Sequence, residues 1–180
     1  LSFTTSLLTV GCTNENEISH ETVDQVKVDD IKEPIQEKFN QTMALAEKGD
    51  AEAQYNLGWM YSNGEGVESD ETVTAQWFQK AADQGHIKAL YNLGVMYRDG
   101  VGVPQDDIKS ADYLLKAADQ GYAPAQFNLG TLYFEGRGVP QDDIKAADYF
   151  LKAADQGVAD AQYNIGYMYY HGRGVAQDTN

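Results

Sequence analysis

The chain contains little cysteine, histidine or positive charge. Cys12 is the only cysteine among 180 residues, which rules out a disulfide within the chain and a zinc site built on several cysteines. Lysine and arginine number 13 against 28 aspartates and glutamates, so the formal net charge is −15. A field of this sign repels nucleic acid and anionic lipid. We therefore expect a neutral or basic protein or peptide as the partner, and no nucleic acid.

Long apolar runs are also missing, since no stretch reaches the ~18 residues of a membrane span. The N-terminal stretch LSFTTSLLTVGC is apolar and uncharged, and a polar, acidic stretch follows it at once. This contrast resembles a bacterial lipoprotein signal, in which the cysteine after a small residue is lipidated. We expect a truncated signal over 1–12 with Cys12 as the lipidated residue, then a polar acidic tether over 13–30. The expected location is the bacterial cell envelope, lipid-anchored or periplasmic, and this anchor is the only expected membrane contact. The alternative is a free cysteine in a disordered leader, and a cytoplasmic protein.

An internal repeat of 36 residues makes up most of the remaining sequence. The segments AQYNLGWMYSNGEGV, ALYNLGVMYRDGVGV, AQFNLGTLYFEGRGV and AQYNIGYMYYHGRGV are four copies of one pattern. Counting the first glycine of each copy as position one, the copies span 49–84, 85–120, 121–156 and, incompletely, 157–180. The segment 31–48 ends like the second half of a copy and is predicted to be an N-terminal capping helix. The incomplete fourth copy indicates that the chain is a fragment at both ends.

Each copy predicts two helices that form a hairpin. In the first copy, Ala53, Leu57 and Met60 share one face of a first helix, and Ala75 and Phe78 share a stripe of a second. The second helix is apolar on two stripes, so it needs cover from its partner and from the next copy, as in a stack of hairpins.

Glycine recurs in the middle of each first helix, where it costs about 0.5–1 kcal/mol relative to alanine. Its recurrence predicts that a backbone or an aromatic ring lies against it. A tyrosine three residues later is predicted to form a wedge between hairpins. The glycines are Gly58, Gly94, Gly130 and Gly166, and the tyrosines are Tyr61, Tyr97, Tyr133 and Tyr169.

The glycine-rich segment GRGVPQDD, which starts at Gly136, raises the question of a phosphate-binding loop. Asp142 or Asp143 would cap the following helix, so a carboxylate already occupies its N-terminus. No Lys-Ser/Thr pair follows, no strand pattern precedes, and the loop occurs four times. We therefore interpret it as a structural turn and expect no cofactor and no metal.

The pattern A-x-Y-N-L-G-x-M-Y-x-x-G-x-G-V, followed by D-x-x-x-A and A-A-x-x-G, closely resembles the Sel-one-like repeat family over residues 49–180. These are two-helix repeats related to tetratricopeptide repeats. The resemblance implies an all-α fold, a right-handed α-solenoid of stacked antiparallel helix hairpins. It also implies a scaffold or adaptor whose first helices line a concave face.

Few residues are suited to catalysis. His20, His86 and His171 have no spacing that suggests a shared ligand or base, and His86 occupies a position that looks like variable surface. Some secreted members of the family resembled are described as penicillin-binding or β-lactamase proteins, and they carry paired cysteines in each repeat. The repeats of this chain have none, and no nucleophile has a positioned base. We expect no enzyme, with an envelope-associated hydrolase of that type as the alternative.

A binding surface is expected on the first helices, opposite their core stripe. Aromatic side chains there make large contacts at modest entropic cost. The aromatic residue at position seven could instead pack between adjacent first helices, and this is the alternative to a binding role. The asparagine at position eight is expected either to bond a peptide backbone or to tie neighbouring helices together. The candidates are Tyr55, Trp59, Tyr91, Arg98, Phe127, Phe134, Tyr163, Tyr167 and Tyr170, with Asn56, Asn92, Asn128 and Asn164.

Overall fold

The computed structural model describes the backbone over residues 20–175 and the side chains over residues 32–175. The predicted signal over 1–12, with Cys12, lies outside that part of the chain. Over residues 20–175 the chain forms eight α-helices and no strand, and each helix packs on the helices before and after it. The predicted all-α solenoid of helix hairpins is confirmed. The helices are α1 (His20–Glu47), α2 (Ala51–Asn63), α3 (Glu71–Asp83), α4 (Ile87–Asp99), α5 (Asp107–Asp119), α6 (Ala123–Glu135), α7 (Asp143–Asp155) and α8 (Ala159–His171).

Local signals in the sequence set the ends of these helices. The carboxylate of Asp142 accepts the backbone N–H groups of Ile144 and Lys145 at 3.1 and 3.0 Å, and equivalent aspartates start α3 and α5. Gly136 ends α6 in a left-handed conformation with φ of 70°, and its N–H bonds the carbonyl of Leu132. These contacts satisfy backbone groups that a helix end leaves without partners. The GRGVPQDD segment is therefore a turn and a cap, as the sequence predicts.

The glycine in the middle of a first helix lets a large side chain of the second helix approach its backbone. A Cβ atom at Gly58 would lie 2.6 Å from two ring carbons of Phe78. Phe78 is buried, so this contact lies at the centre of its hairpin. The prediction that a neighbour lies against the glycine is confirmed here. The same contact recurs between Gly94 and Leu114 and between Gly130 and Phe150.

The second glycine of each loop marks a close approach between neighbouring hairpins. Gly138 lies against the first turn of α5, where a Cβ atom would overlap the carbonyl oxygen of Asp107. Beside it, Arg137 donates two hydrogen bonds to the carboxylate of Asp107, at 2.8 and 3.2 Å. Arg173 and Asp143 form the same pair one repeat later. The loop thus joins adjacent hairpins as well as reversing the chain, a role that the sequence pattern did not reveal.

The tyrosines predicted as wedges between hairpins also stack within their own hairpins in the second and third copies, while they line the core that neighbouring hairpins share. Tyr97 stacks on Tyr113 with ring centroids 5.6 Å apart and an interplanar angle of 6°, and both belong to the α4–α5 hairpin. The reason is that a residue three positions after the buried glycine lies on the same face of its helix, which is turned toward the partner helix. Tyr133 and Tyr149 stack in the same way at 5.8 Å within the α6–α7 hairpin.

The capping helix α1 begins earlier than the sequence predicts. The prediction places the helix over 31–48, after a tether over 13–30, whereas α1 already starts at His20. The prediction rested on the end of the segment, which matches the second half of a copy, and no repeated pattern marks where the helix begins. Pro34 lies inside α1, where it removes one backbone hydrogen bond without ending the helix. The buried Phe39 and Ala46 of α1 pack with core residues of α2, so α1 covers the first hairpin.

The last described helix, α8, packs on α7 through the buried Ile165 and Met168, which form a core cluster with Ala146, Ala147 and Phe150. Within the part of the chain that the structure describes, no second helix covers its other side. No atom lies within 4 Å of a Cβ atom built at Gly166. Tyr163 is 74% exposed, unlike its half-buried counterparts in the other copies.

Candidate functional site

The first helices α2, α4, α6 and α8 present one continuous face, which we call the first-helix groove. Cavities lined jointly by α2 and α4, and by α6 and α8, show that these helices lie side by side. The groove is defined by repeat positions seven, eight, eleven and fourteen. Its residues are Tyr55, Asn56, Trp59 and Ser62, then Tyr91, Asn92, Val95 and Arg98, then Phe127, Asn128, Thr131 and Phe134, then Tyr163, Asn164, Tyr167 and Tyr170.

The aromatic residue at position seven packs into the structure in three of the four copies. Tyr55 stacks on His86 of the next repeat with ring centroids 4.5 Å apart, and Tyr91 meets Tyr122 edge-on at 5.2 Å. These rings are half-buried and join successive repeats, so packing accounts for most of their surface. Tyr163 differs because it is largely exposed. Phe127 packs within its own hairpin, 5.9 Å from Phe150.

His86 is a helix cap, not the variable surface residue that the sequence predicts. Its Nδ1 accepts the backbone N–H of Ala89 at 3.2 Å, and its Nε2 lies 3.0 Å from the carboxylate of Glu52. Because Nδ1 acts as an acceptor, the neutral ring carries its proton on Nε2 and donates it to Glu52. Comparison of the copies missed this role because the third and fourth copies have no side-chain cap at this position. The signal was Asp50, an ordinary capping residue at the same position of the first copy.

Positions eleven and fourteen place aromatic surface in the groove. Trp59 is 41% exposed, Tyr167 42% and Tyr170 69%. Arg98 instead donates from Nε and Nη2 to the neighbouring carboxylate of Asp99, at 2.8 and 3.0 Å. These hydrogen bonds hold the pKa of Asp99 below its usual value and raise the pKa of Arg98. Arg98 is therefore engaged in an ion pair, while the aromatic side chains keep accessible faces.

Two cavities lie in the groove at equivalent places, two repeats apart. The smaller cavity, between the first and second repeats, has a volume of about 180 Å³. Its walls include the rings of Trp59, Phe78 and Tyr91, the side chain of Val95 and the amide of Asn92. The cavity combines these apolar walls with the amide of Asn92 and a polar edge of Ser62, Glu71 and Thr74, which suits an aliphatic side chain next to a peptide group.

The larger cavity lies between the third and fourth repeats and has a volume of about 360 Å³. Phe134, Tyr163 and Tyr167 line it together with Asn164. The rings of Phe134 and Tyr167 meet edge-on with centroids 6.5 Å apart. The guanidinium of Arg173 lies 4.1 Å over the Phe134 ring and forms part of the rim. This cavity has room and aromatic surface for a larger side chain than the first.

Charge around the larger cavity is balanced by an ion pair. Arg173 donates two hydrogen bonds of 2.9 Å to the carboxylate of Asp143, and this contact raises the pKa of the guanidinium. Glu135 lines the same cavity and lies 3.8 Å from Arg137. The rim therefore holds a guanidinium whose charge is paired and a carboxylate with only a distant partner.

The four asparagines at position eight do not share one role. Asn128 donates to the hydroxyl of Tyr91 at 3.5 Å and ties α6 to α4. Among the described residues, Asn56, Asn92 and Asn164 have no hydrogen bond to another side chain or to the backbone. The helix-tying role thus holds in the third copy only. The free amides of Asn92 and Asn164 both line cavities.

The histidines are not brought together into a catalytic arrangement. His86 caps α4, and the ring of His171 lies 4.3 Å from that of Tyr167 on α8. The side chain of His20 lies outside the described residues. Over the described chain, no group of three or more histidine, cysteine, aspartate or glutamate residues is placed to hold a metal ion. The helices in the same part of the chain include none with the length and apolarity needed to cross a membrane.

The repeats match a known family. The family model described as Sel1 repeat matches residues 51–86, 87–122, 123–158 and 159–180. No curated protein matches the chain. Solved structures do match, and the chain covers only part of some of them.

Three of these structures show how far the likeness extends. A protective antigen of uropathogenic Escherichia coli with an SLR fold is 41% identical, with a TM-score of 0.75, over 78% of this chain and 30% of its own. A Sel1 repeat protein from Oxalobacter formigenes is 31% identical, with a TM-score of 0.76, over 87% of this chain and 64% of its own. Cysteine rich protein B of Helicobacter pylori is 21% identical, with a TM-score of 0.58, over 72% of this chain and 96% of its own. The chain thus spans less than two thirds of the first two proteins, and the third likeness concerns the fold alone.

Proposed function

Because the chain belongs to the Sel1 repeat family, whose members are generally scaffolds for protein–protein interaction, we propose that it is a non-enzymatic adaptor that binds a protein segment in the first-helix groove. The partner segment is an extended peptide that is neutral or basic. No cofactor takes part in this function.

The observation that carries the proposal is the pairing of free amides with exposed rings. Asn92 and Asn164 each offer two donors and one acceptor beside a cavity, which matches the donor and acceptor of a peptide group. Trp59 and Tyr167 stand beside them with about two fifths of their surfaces exposed. Aromatic anchors with polar groups at fixed positions are typical of surfaces where a few residues dominate binding.

Charge supports the choice of partner. The formal net charge of −15 speeds the approach of basic segments and slows that of acidic ones. Both cavities also include a glutamate, Glu71 in the smaller and Glu135 in the larger. A basic residue next to an anchoring side chain would meet one of these carboxylates.

Selection from a random peptide library displayed on phage tests the proposal. We expect enrichment of neutral or basic peptides with apolar side chains, and loss of their binding in the double variant Trp59→Ala/Tyr167→Ala. The matched control is Ile108→Ala/Ile144→Ala, which removes two side chains that are 66% and 71% exposed on second helices. The far-UV circular dichroism spectrum of both variants should stay close to that of the parent. The melting temperature of Trp59→Ala/Tyr167→Ala should fall, because about three fifths of each ring is buried against neighbours such as Phe78 and Phe134, so binding is compared at a temperature where both variants are folded.

Two results would contradict the adaptor proposal. The first is a selection whose peptides bind the parent and the Trp59→Ala/Tyr167→Ala variant equally well. The second is steady hydrolysis of nitrocefin by the pure protein, which would favour the hydrolase alternative.

We also propose that the protein is anchored in the bacterial envelope through Cys12, on the support of the apolar-to-polar switch around that residue. Expression of the complete reading frame with radiolabelled palmitate tests this directly. Label should enter the parent and be lost in Cys12→Ser. Equal labelling of both proteins, or of neither, would contradict the anchor.

A further inference from the structure

The groove opens into cavities at two places, and we call the stretch between them the closed place because contacts within the chain occupy it. The smaller cavity opens between the first and second repeats, and the larger between the third and fourth. Asn92 and Asn164, which line these cavities, are free, whereas Asn128 in the copy between them is bonded to Tyr91. Cavity and free amide therefore coincide at alternate repeats.

The place between the two cavities is occupied by contacts within the chain. The amide of Asn128 bonds the Tyr91 hydroxyl, and Arg98 is turned onto Asp99 by two hydrogen bonds. A ligand there would have to break these contacts before making its own. At the two cavities the equivalent asparagines, Asn92 and Asn164, have no such hydrogen bond to break.

On the basis of the peptide-binding function proposed above, we propose that the groove recognises two anchor residues of one extended peptide, one at each cavity. The anchor at the smaller cavity is aliphatic, and the anchor at the larger cavity is aromatic. Asn92 and Asn164 bond the peptide groups beside these anchors. The segment between the anchors crosses the closed place with few contacts and therefore carries little sequence preference.

The aromatic choice follows from the walls of the larger cavity. Phe134, Tyr163 and Tyr167 offer ring faces and edges, and edge-to-face contacts between rings add to the burial of apolar surface. The guanidinium of Arg173 already covers the Phe134 ring. Tyr163 and Tyr167 keep exposed ring surface on which an aromatic anchor can pack.

The repeat geometry sets the spacing of the anchors. Successive first helices lie side by side at about one helix diameter, roughly 10 Å, so two repeats separate the cavities by about 20 Å. An extended chain advances about 3.3–3.6 Å per residue. The two anchors should therefore lie about five or six residues apart in the peptide sequence.

A series of labelled synthetic peptides tests this spacing by fluorescence anisotropy. Each peptide carries one leucine and one tryptophan, in either order, separated by Gly-Ser spacers of different length and flanked by lysine. We expect the dissociation constant to pass through a minimum at a spacing of about five or six, with binding at least about tenfold weaker at half or at twice that spacing. Loss of one buried anchor is worth about that factor.

Two cavity-filling variants assign each anchor to its cavity. Val95→Phe fills the smaller cavity and Thr131→Phe the larger, at the same repeat position. With Val95→Phe, replacing the leucine of the peptide by serine should cause no further loss, while replacing the tryptophan still weakens binding. With Thr131→Phe the two responses should be exchanged. Circular dichroism spectra and melting curves show whether each variant is folded. The same peptide substitutions, measured on the parent protein, test whether both anchors are needed without altering the protein.

The outcomes separate this proposal from the one on which it rests. Affinity that does not depend on spacing, but is lost in Trp59→Ala/Tyr167→Ala, would overturn the two-anchor register and leave the adaptor function standing. The register is likewise overturned, and the adaptor function kept, if no peptide of the series binds while library selection yields peptides that depend on those two residues. Failure of the series and of the library selection together would overturn both proposals.

Discussion

Replacing the glycines in the middle of the first helices by alanine separates packing from helix propensity. Gly58 and Gly166 occupy the same repeat position in helices of the same length. At Gly58 an added Cβ atom would lie 2.6 Å from two ring carbons of Phe78, whereas at Gly166 nothing lies within 4 Å. Alanine is favoured over glycine by about 0.5–1 kcal/mol in a helix at either site.

The size of the packing effect follows from the burial of the neighbour. Phe78 is only 3% exposed, so its ring cannot withdraw without displacing other core residues. Overpacking of this kind costs about 1–3 kcal/mol. We expect Gly166→Ala to stabilise the protein by about 0.5–1 kcal/mol. Gly58→Ala should be less stable than Gly166→Ala by about 1–3 kcal/mol, because the propensity gain is common to both.

Urea denaturation followed by far-UV circular dichroism measures this difference. The comparison is sound when both variants unfold with the same dependence on urea. Gly130→Ala provides a second test, since a Cβ atom there would lie 2.9 Å from two ring carbons of the buried Phe150. It should resemble Gly58→Ala. Equal stability changes at Gly58 and Gly166 would refute the argument that packing retains these glycines.

Three further predictions concern the contacts between and within repeats. Gly138→Ala should destabilise the protein by about 2–5 kcal/mol, because φ is 68° and the added atom would overlap the Asp107 carbonyl; a loss below about 1 kcal/mol in urea denaturation would contradict this. Arg137→Met removes two hydrogen bonds to Asp107. Because both side chains are about one third exposed, we expect the free energy of unfolding to fall by less than about 1 kcal/mol, and by less still at high salt. A larger fall that does not depend on salt would show that solvent does not screen the pair. Burial raises the pKa of the Tyr113 and Tyr149 phenols above their ordinary value of about 10, so the stability they contribute is complete below pH ~10 and is lost as the pH rises through the folded-state pKa. The variants Tyr113→Phe and Tyr149→Phe should therefore lose less stability than the parent between about pH 10 and pH 12. An unchanged loss of stability in urea denaturation over this pH range would contradict the assignment.

Most of the fold follows from the sequence because the signals are local and repeated. The aspartate caps, the left-handed glycines and the apolar spacing act within one or two helical turns, and four copies make each signal clear. The start of α1 was missed because that helix has no second copy with which to compare it. The role of His86 was missed because its cap involves a residue type that the other copies do not share.

The site could be predicted only in outline. Trp59 and Tyr167 lie in the groove as the variation of their position between copies predicts, and each keeps about two fifths of its surface exposed while packing on neighbouring rings. The position of Arg98 varies between copies to the same degree, but its guanidinium forms an ion pair with the adjacent Asp99. Tyr55 and Tyr91 pack on the residue that begins the next first helix, and the pattern of one helix does not contain that residue.

The sequence by itself determined the family, the hairpin order and the turns, because each depends on residues close together in the chain. Tertiary structure alone decided which asparagines are free and where the groove opens. The amide of Asn128 is taken by Tyr91, which lies one repeat earlier, whereas Asn92 and Asn164 meet no such partner among the described residues. Identical residues in identical repeat positions thus differ in availability, because their hydrogen bonds are made across repeats whose neighbouring side chains differ.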